Sequence, residues 1–129
     1  MSGKFLLDTN IVISLFAEEK SVLDSLNKAE DVFVPSIVIG ELNFGARKST
    51  RVQKNLERIN IFVASNVILS CDAVTAFYYG RVKEELRQKG KPIPENDIWV
   101  AAIALQHDLT LITRDEHFKE VAELTIESW

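Results

Sequence analysis

The chain has little cysteine and no long apolar run. Cys71 is the single cysteine among 129 residues, so neither an internal disulfide nor a cysteine zinc cluster can form. The apolar run of residues 98–105 has eight residues, whereas a membrane-spanning helix needs about 20. The apolar segment before Asp8 is far shorter than a signal peptide requires. These absences predict a protein of the reducing cytoplasm, not of the membrane.

Several catalytic motifs are also missing. The sequence contains no Gly-x-Ser-x-Gly elbow, no Walker loop and no dinucleotide fingerprint, which argues against serine hydrolases, P-loop enzymes and Rossmann oxidoreductases. Neither His107 nor His117 lies in a metal-spacing motif, so we assign them no role. Repeats, low-complexity tracts and linkers are absent too. With 47% hydrophobic residues, the chain is expected to form a single domain over residues 1–129.

Four carboxylates stand beside or inside apolar segments. They are Asp8 after Phe5-Leu6-Leu7, Glu41 within residues 37–42, Asp97 before Ile98-Trp99-Val100, and Asp115 after residues 109–112. A charge placed in apolar surroundings needs a partner or a metal ion. Because no run of Lys or Arg interleaves with these acids, a divalent cation is the better explanation. Oxygen-only ligands point to Mg²⁺ or Mn²⁺.

The net charge of -4, from 15 basic and 19 acidic residues, at first argues against a nucleic-acid partner, because phosphate backbones attract cations. Without the four candidate ligands, however, 15 acids balance 15 bases. The acidic excess therefore coincides with a site that metal ions would neutralise. An acidic chain of this kind is compatible with a metal-dependent nuclease.

Short apolar segments alternate with segments of helical periodicity, which predicts an α/β fold. The predicted strands are residues 4–7, 32–34, 67–69, 109–112 and 125–126. Such an alternation is typical of a mostly parallel central sheet of four to five strands with helices on both faces. Ligands of such sheets collect at the carboxyl ends of the strands. Asp8 and Asp115 meet there if strands one and four are neighbours.

Helix-capping signals give three more expectations. Ser36 is predicted to cap the helix that carries Glu41, and Thr50 with Gln53 to form a capping box for the next one. Asp72 is expected to cap a longer helix that Gly90 and Pro92 terminate. The apolar stripe of that helix is predicted to contain Val74, Tyr78, Val82 and Leu86.

Each acid taken singly has another explanation. Asp97 would favour the positive end of a helix dipole, and Asp8 or Asp115 would cap a following helix. Glu41 has the poorest alternative, because apolar residues and glycines share its helical face. Those neighbours are Ile37, Gly40, Phe44 and Gly45.

The four acidic segments, taken together and in order, resemble the PIN-domain ribonucleases, specifically the VapC-like toxins of toxin-antitoxin pairs. The matching segments are Phe5-Leu6-Leu7-Asp8-Thr9-Asn10, Pro35-Ser36 with Glu41-Leu42, Asn96-Asp97-Ile98-Trp99-Val100-Ala101-Ala102, and Leu111-Ile112-Thr113-Arg114-Asp115. Each motif alone is weak, but four at family-like spacing over nearly the whole chain are specific.

The resemblance implies that Asp8, Glu41, Asp97 and Asp115 hold one or two Mg²⁺ or Mn²⁺ ions for RNA phosphodiester hydrolysis by a metal-activated water. It also implies that Asn10 and Thr113 orient the carboxylates, and that the protein has a cognate antitoxin and forms a homodimer. Paired metal ions supply the chemistry that phosphodiester hydrolysis needs.

Basic residues around the end of the predicted long helix are candidates for contacting RNA phosphates. Arg87, Lys89 and Lys91 are preferred because they lie just before the Asp97 segment, and a second basic group runs from Arg47 to Arg58. Two rival functions remain open. One is a catalytically silent PIN-like binding module, and the other is an α/β phospho-receiver domain, which expects paired acids after the first strand and a lysine after the last.

Overall fold

The computed structural model describes residues 3–129, which form a five-stranded sheet and six α-helices. The strands are β1 Lys4–Leu7, β2 Asp31–Pro35, β3 Val67–Leu69, β4 Thr110–Ile112 and β5 Ile126–Glu127. The helices are α1 Thr9–Phe16, α2 Lys20–Lys28, α3 Ser36–Arg47, α4 Val52–Ala64, α5 Ala73–Lys89 and α6 Glu95–Gln106, with a short 3₁₀ helix at Glu116–Glu120.

The sheet is parallel in every pairing and has the order β3-β2-β1-β4-β5. The predicted α/β class is therefore confirmed. In β1, the consecutive residues Phe5, Leu6 and Leu7 are 3%, 0% and 1% exposed. Because successive side chains of a strand point to opposite faces, both faces of the sheet are covered, as parallel sheets require.

The central position of β1 places the site. β1 pairs with β2 on one side and with β4 on the other, where Leu7 is in register with Ile112. The condition under which Asp8 and Asp115 meet, that strands one and four are neighbours, therefore holds. The chain segments that leave β1 and β4 therefore begin side by side at the carboxyl edge of the sheet.

Helix ends agree with the predictions in part. Asp72 and Thr75 form a reciprocal capping box at the start of α5, and Gly90 ends that helix with a φ of 68°, a conformation that glycine adopts without strain. Ser36, however, is the first residue of α3 and not its cap. The predicted capping box at Thr50 is absent, since α4 starts after Arg51 without a side-chain cap.

The buried face of α5 also differs from the predicted stripe. Val82 and Leu86 are buried as expected, but Val74 is 53% exposed and Thr75 takes the interior position. Thr75 is tolerated there because its hydroxyl bonds Gln106 of α6 at 2.5 Å. Among the described residues, no helix has the length and apolar content needed to cross a membrane.

Candidate metal centre

An open cleft at the carboxyl edge of the sheet collects the four predicted acids. Its volume is about 600 Å³, and Asp8, Glu41, Asp97 and Asp115 all line it. Asp8 follows β1, Asp115 follows β4, and the other two acids come from α3 and from the first turn of α6. Residues up to 107 positions apart in the sequence are thus brought together by the sheet order.

Asp8 is the most enclosed of the four carboxylates, at 3% exposure. One of its oxygens accepts a hydrogen bond from the backbone N–H of Thr9 at 2.9 Å, and the other accepts from the Thr113 hydroxyl at 2.7 Å. Burial raises the pKa of Asp8 above its usual value, although these hydrogen bonds act in the opposite direction. The Asp8 carboxylate is therefore held in a fixed orientation, but its ionisation costs free energy.

Asn10 and Thr113 lie where a role in orienting the acids requires them. The Asn10 amide nitrogen is 3.3 Å from Asp8 Oδ2 and 3.4 Å from Asp115 Oδ2, so one side chain bridges both carboxylates. Thr113 is 2% exposed, and its hydroxyl oxygen also accepts a hydrogen bond from the Asp115 backbone N–H at 3.0 Å. These contacts connect the ends of β1 and β4.

Glu41 is oriented by Thr9, whose hydroxyl donates a hydrogen bond to Glu41 Oε1 at 2.6 Å. No sequence pattern had indicated this role for Thr9. The surroundings of Glu41 also differ from the buried face expected from the sequence. α3 packs into the core through Val38, Leu42 and Ala46, whereas Phe44 is 64% exposed. The apolar neighbours of Glu41 are therefore walls of open cavities.

Asp97 has the most perturbed acidity in the cleft. Its side chain is 13% exposed, and burial, followed by the nearby charge of Asp8, raises the pKa of Asp97 to about 6. Contact with His117 opposes this shift. A carboxylate that is costly to ionise at neutral pH marks a candidate functional site, because a bound cation would remove the cost.

His117 also lines the cleft, although no metal-spacing motif in the sequence pointed to it. Its Nε2 lies 2.6 Å from Asp97 Oδ2 but at an angle that is poor for a hydrogen bond, and the atom is sealed from solvent. The sequence held one signal for this placement, since His117 follows Asp115 by two residues. The 3₁₀ helix at Glu116–Glu120 turns the chain so that both side chains line the same cleft.

The residues of the cleft fit a divalent cation. Within residues 3–129, no Lys or Arg lies within ion-pair distance of any of the four acids. One atom each of Asp97, Asp115 and His117 lies within 4.8 Å of the others. Clustered carboxylates without a protein cation, together with an orphaned buried nitrogen, are the donor set that a metal ion satisfies.

The predicted phosphate contacts lie outside the acidic cleft. Arg87 makes two hydrogen bonds to the Glu84 carboxylate, at 2.6 and 2.7 Å. Lys89 donates to the Glu120 carbonyl at 2.6 Å, and Lys91 is exposed. Arg87 lines a separate cavity that shares only Glu95 with the cleft. Their role in RNA binding stays a prediction.

Two further cavities adjoin the cleft on the side of Glu41. One is an apolar groove of about 200 Å³ between α1, α3 and α4, whose lining includes Ile13, Phe16 and Ile59. The other has about 830 Å³ and includes Phe44 and Lys48 of the α3 region. Both share Thr9 and Glu41 with the acidic cleft, so a molecule bound in either one lies beside Glu41.

Comparison with known proteins gives concordant results. Residues 5–124 match the PIN domain family. The chain is 36% identical to Ribonuclease VapC2 of Haemophilus influenzae and 33% identical to the tRNA(fMet)-specific endonuclease VapC of Shigella flexneri, covering 98% of both chains in each comparison. It is also similar to VapBC2 from Rickettsia felis, solved bound to a DNA fragment from the promoter, with 31% identity, a TM-score of 0.89 and coverage of 100% and 99% of the two chains.

Proposed function

The chain belongs to the PIN domain family and to its VapC-like ribonuclease toxins, and on this basis we propose that it is a metal-dependent endoribonuclease, the toxin of a type II toxin-antitoxin pair. Its acidic cleft holds one or two divalent cations, Mg²⁺ or Mn²⁺, and the reaction is hydrolysis of an RNA phosphodiester bond.

One observation carries the proposal: four carboxylates from four separate segments share one cleft, and no Lys or Arg within residues 3–129 pairs with them. Ionising these acids costs free energy in this arrangement, because burial raises the pKa of Asp8 and of Asp97. A structural role would not require such a cost. A site that gathers cations beside a phosphate does require it.

The residues of the cleft have two roles, which are to bind the cation and to orient the carboxylates. Asp8, Glu41, Asp97 and Asp115 bind the cation, which when bound stabilises the negative charge that develops on the phosphate and leaving oxygens. Thr9, Asn10 and Thr113 fix the orientation of three carboxylates through the hydrogen bonds at 2.6 to 3.4 Å. Preset donors and acceptors of this kind cost no reorganisation during the reaction.

The substrate is RNA, and a structured RNA such as tRNA is supported by the name of the Shigella flexneri relative. The cavity beside Glu41 offers a route for the strand, because Lys48 supplies a positive charge and Phe44 an exposed aromatic ring. Lys48 Nζ lies 4.5 Å from the centre of that ring. A base stacked on an aromatic ring and a phosphate on a nearby lysine are the usual contacts to single-stranded nucleic acid.

The proposed protein partners are a cognate antitoxin and a second copy of the chain. The apolar groove between α1, α3 and α4 suits an antitoxin segment, because Ile13 is 55% exposed and the groove opens onto the acids. A segment bound there would exclude RNA. Exposed Val74 and Phe77 of α5, at 53% and 66%, offer a surface for the homodimer. An RNA substrate also favours a cytoplasmic location.

The phospho-receiver alternative is not supported by the sheet. Receiver domains have the strand order 2-1-3-4-5, whereas this sheet has the order β3-β2-β1-β4-β5. The silent binding module differs from the proposed nuclease in metal binding and in activity. It would retain the fold but would neither bind a divalent cation nor cleave RNA.

The test is cleavage of a tRNA pool by the purified chain with Mg²⁺, with Mn²⁺ and with a chelator. Cleavage is expected with either metal and should fall by at least about 100-fold with the chelator, and likewise in Asp8→Asn and Asp97→Asn. Asp24→Asn, an exposed acid on α2 paired with Lys20, is the control and should keep full activity. Undiminished cleavage by Asp8→Asn or Asp97→Asn would contradict the mechanism.

A further inference from the structure

The ring nitrogen of His117 has an unusual environment. Nε2 is close enough to Asp97 Oδ2 for a hydrogen bond, at 2.6 Å, but its bonding direction does not meet that oxygen. The atom is also inaccessible to water, although a third of the side chain is exposed. Buried polar atoms in folded proteins almost always have a partner, and an ion is one of the common explanations where none is found.

The imidazole ring is held in place by its own segment. His117 lies in the 3₁₀ helix at Glu116–Glu120, which is anchored by Phe118 at 0% exposure. The two rings are in tilted contact, with centroids 4.9 Å apart. Core packing of Phe118 therefore fixes the segment that carries His117, and the contact between the two rings supports the position of Nε2 in the cleft.

The spacing of the donor atoms suits a shared ion. One atom each of Asp97, Asp115 and His117 lies within 4.8 Å of the others. Ligand atoms bound to one cation at about 2.1 Å are at most about 4.2 Å apart, so small side-chain rotations bring all three to a common ion. An ion pair between His117 and Asp97 alone would instead direct the ring N–H at the carboxylate.

We propose that His117 is a nitrogen ligand of the cation held by Asp97 and Asp115, and that this ligand makes the site prefer Mn²⁺ over Mg²⁺. The inference rests on the proposed metal-dependent function and adds a ligand to it. First-row transition-metal ions accept imidazole nitrogen, Mn²⁺ more weakly than the later ones, whereas Mg²⁺ is bound almost entirely by oxygen ligands. Three oxygen and nitrogen donors from α6, from the segment after β4 and from the 3₁₀ helix would then meet at one ion.

Pulsed electron paramagnetic resonance of the Mn²⁺-loaded chain tests the ligand directly. Mn²⁺ bound to the unaltered protein should show hyperfine coupling to ¹⁴N, and labelling of histidine with ¹⁵N should change that coupling. His117→Gln should abolish it and weaken Mn²⁺ binding by about tenfold or more, while affecting Mg²⁺ less. His107→Gln, which alters the exposed histidine at the end of α6, is the matched control.

The outcomes separate this inference from the function on which it rests. Mn²⁺ that binds without histidine nitrogen coupling would overturn the role of His117 and leave the acidic metal site intact. Failure of Mn²⁺ and of Mg²⁺ to bind the unaltered chain would overturn both proposals. Because the labelling experiment uses the unaltered protein, its result does not depend on whether the His117 variant folds.

Discussion

Burial and hydrogen bonding have opposite effects on the ionisation of acids in the cleft. Asp8 and Asp97 are placed where burial raises the pKa of each carboxyl group, while Thr9 and Thr113 hold the Asp8 carboxylate through hydrogen bonds to both of its oxygens. The hydrogen bonds favour the charged form and the burial disfavours it. A cation resolves the conflict, so the metal-free protein is expected to be less stable than its packing alone would allow.

The acidity of Asp97 leads to a prediction for the metal-free protein. A pKa raised from 3.8 to about 6 means that the folded state binds a proton more tightly than the unfolded state. The stability this provides is complete below about pH 4 and is lost as the pH rises through about 6. Asp97→Asn removes the titrating group. At pH 7 in chelator, its free energy of unfolding should exceed that of the unaltered chain by roughly 1 to 3 kcal/mol.

Urea unfolding at pH 4 and pH 7 measures this difference. The two proteins should have similar stability at pH 4, and the advantage of Asp97→Asn at pH 7 should shrink when Mg²⁺ or Mn²⁺ is added, because only the unaltered chain binds it well. Asp24→Asn, an exposed acid, should show no comparable gain. An Asp97→Asn protein that is less stable at pH 7 than the unaltered chain would show that the carboxylate has a structural role.

Sequence patterns identify the site residues whose signal is local and miss those whose contacts are long-range. The four acids stand out because each is adjacent to apolar residues in sequence. Thr9 and His117 do not, since their contacts to Glu41 and Asp97 join residues 32 and 20 positions apart. Only the packing of α1 against α3 and of the 3₁₀ helix beside α6 makes these contacts, and no local pattern reports it.

At the scale of the elements, periodicity located all five strands to within two residues, but capping signals were less informative. Asp72 and Thr50 both have residue types that cap helices, yet only Asp72 does so. At α4 the chain arrives through Ser49, whose hydroxyl instead accepts a hydrogen bond from Asn55 at 2.9 Å. A local turn interaction therefore replaced the predicted cap. α2 was not predicted, and it buries only Val22.

The two capping positions give a matched pair for a stability experiment. Asp72→Ala removes the acceptor of the Thr75 backbone N–H and also a contact to Gln106. The expected loss is about 1 to 2 kcal/mol in the free energy of unfolding. Thr50→Ala alters a residue that only the sequence suggested as a cap, and its effect should stay within about 0.5 kcal/mol.

Urea denaturation monitored by circular dichroism measures both changes under the same conditions. RNA cleavage should be unaffected in the two variants, because neither residue lines the acidic cleft. Equal losses for Asp72→Ala and Thr50→Ala would mean that the capping box at α5 adds nothing beyond the intrinsic preference of the two residues.

For the whole molecule, the decisive feature is the strand order. The sequence predicted parallel strands and acids at their carboxyl ends, but nothing local states that β1 lies between β2 and β4. That order places the ends of β1 and β4 together, and α3 and α6, which contact each other, add Glu41 and Asp97 to the same cleft. The convergence of four acids is therefore a consequence of topology. The apolar flanks of the acids and the family resemblance both indicated a shared site, but neither fixed the strand order that forms it.

The charge distribution over the molecule changes the expectation for RNA. The predicted phosphate contacts Arg87 and Lys89 already face Glu84 and Glu120, which reduces the local positive potential. Lys48 has no carboxylate within ion-pair distance among the described residues, and it lines a cavity that shares Glu41 with the acidic cleft. RNA that reaches the acids is therefore expected to pass Lys48 rather than the end of α5.

Equilibrium binding of a single-stranded RNA distinguishes the two routes. In an Asp8→Asn background, which prevents cleavage, Lys48→Ala should weaken binding and reduce the slope of log affinity against log salt by about 0.7, the value for one lost phosphate contact on a single strand. Lys89→Ala removes the same charge from the end of α5 and should leave both quantities nearly unchanged. If the Lys89 substitution, or a combined change at Arg87, Lys89 and Lys91, weakened binding while Lys48→Ala did not, RNA would instead follow the end of α5, as the sequence alone predicts.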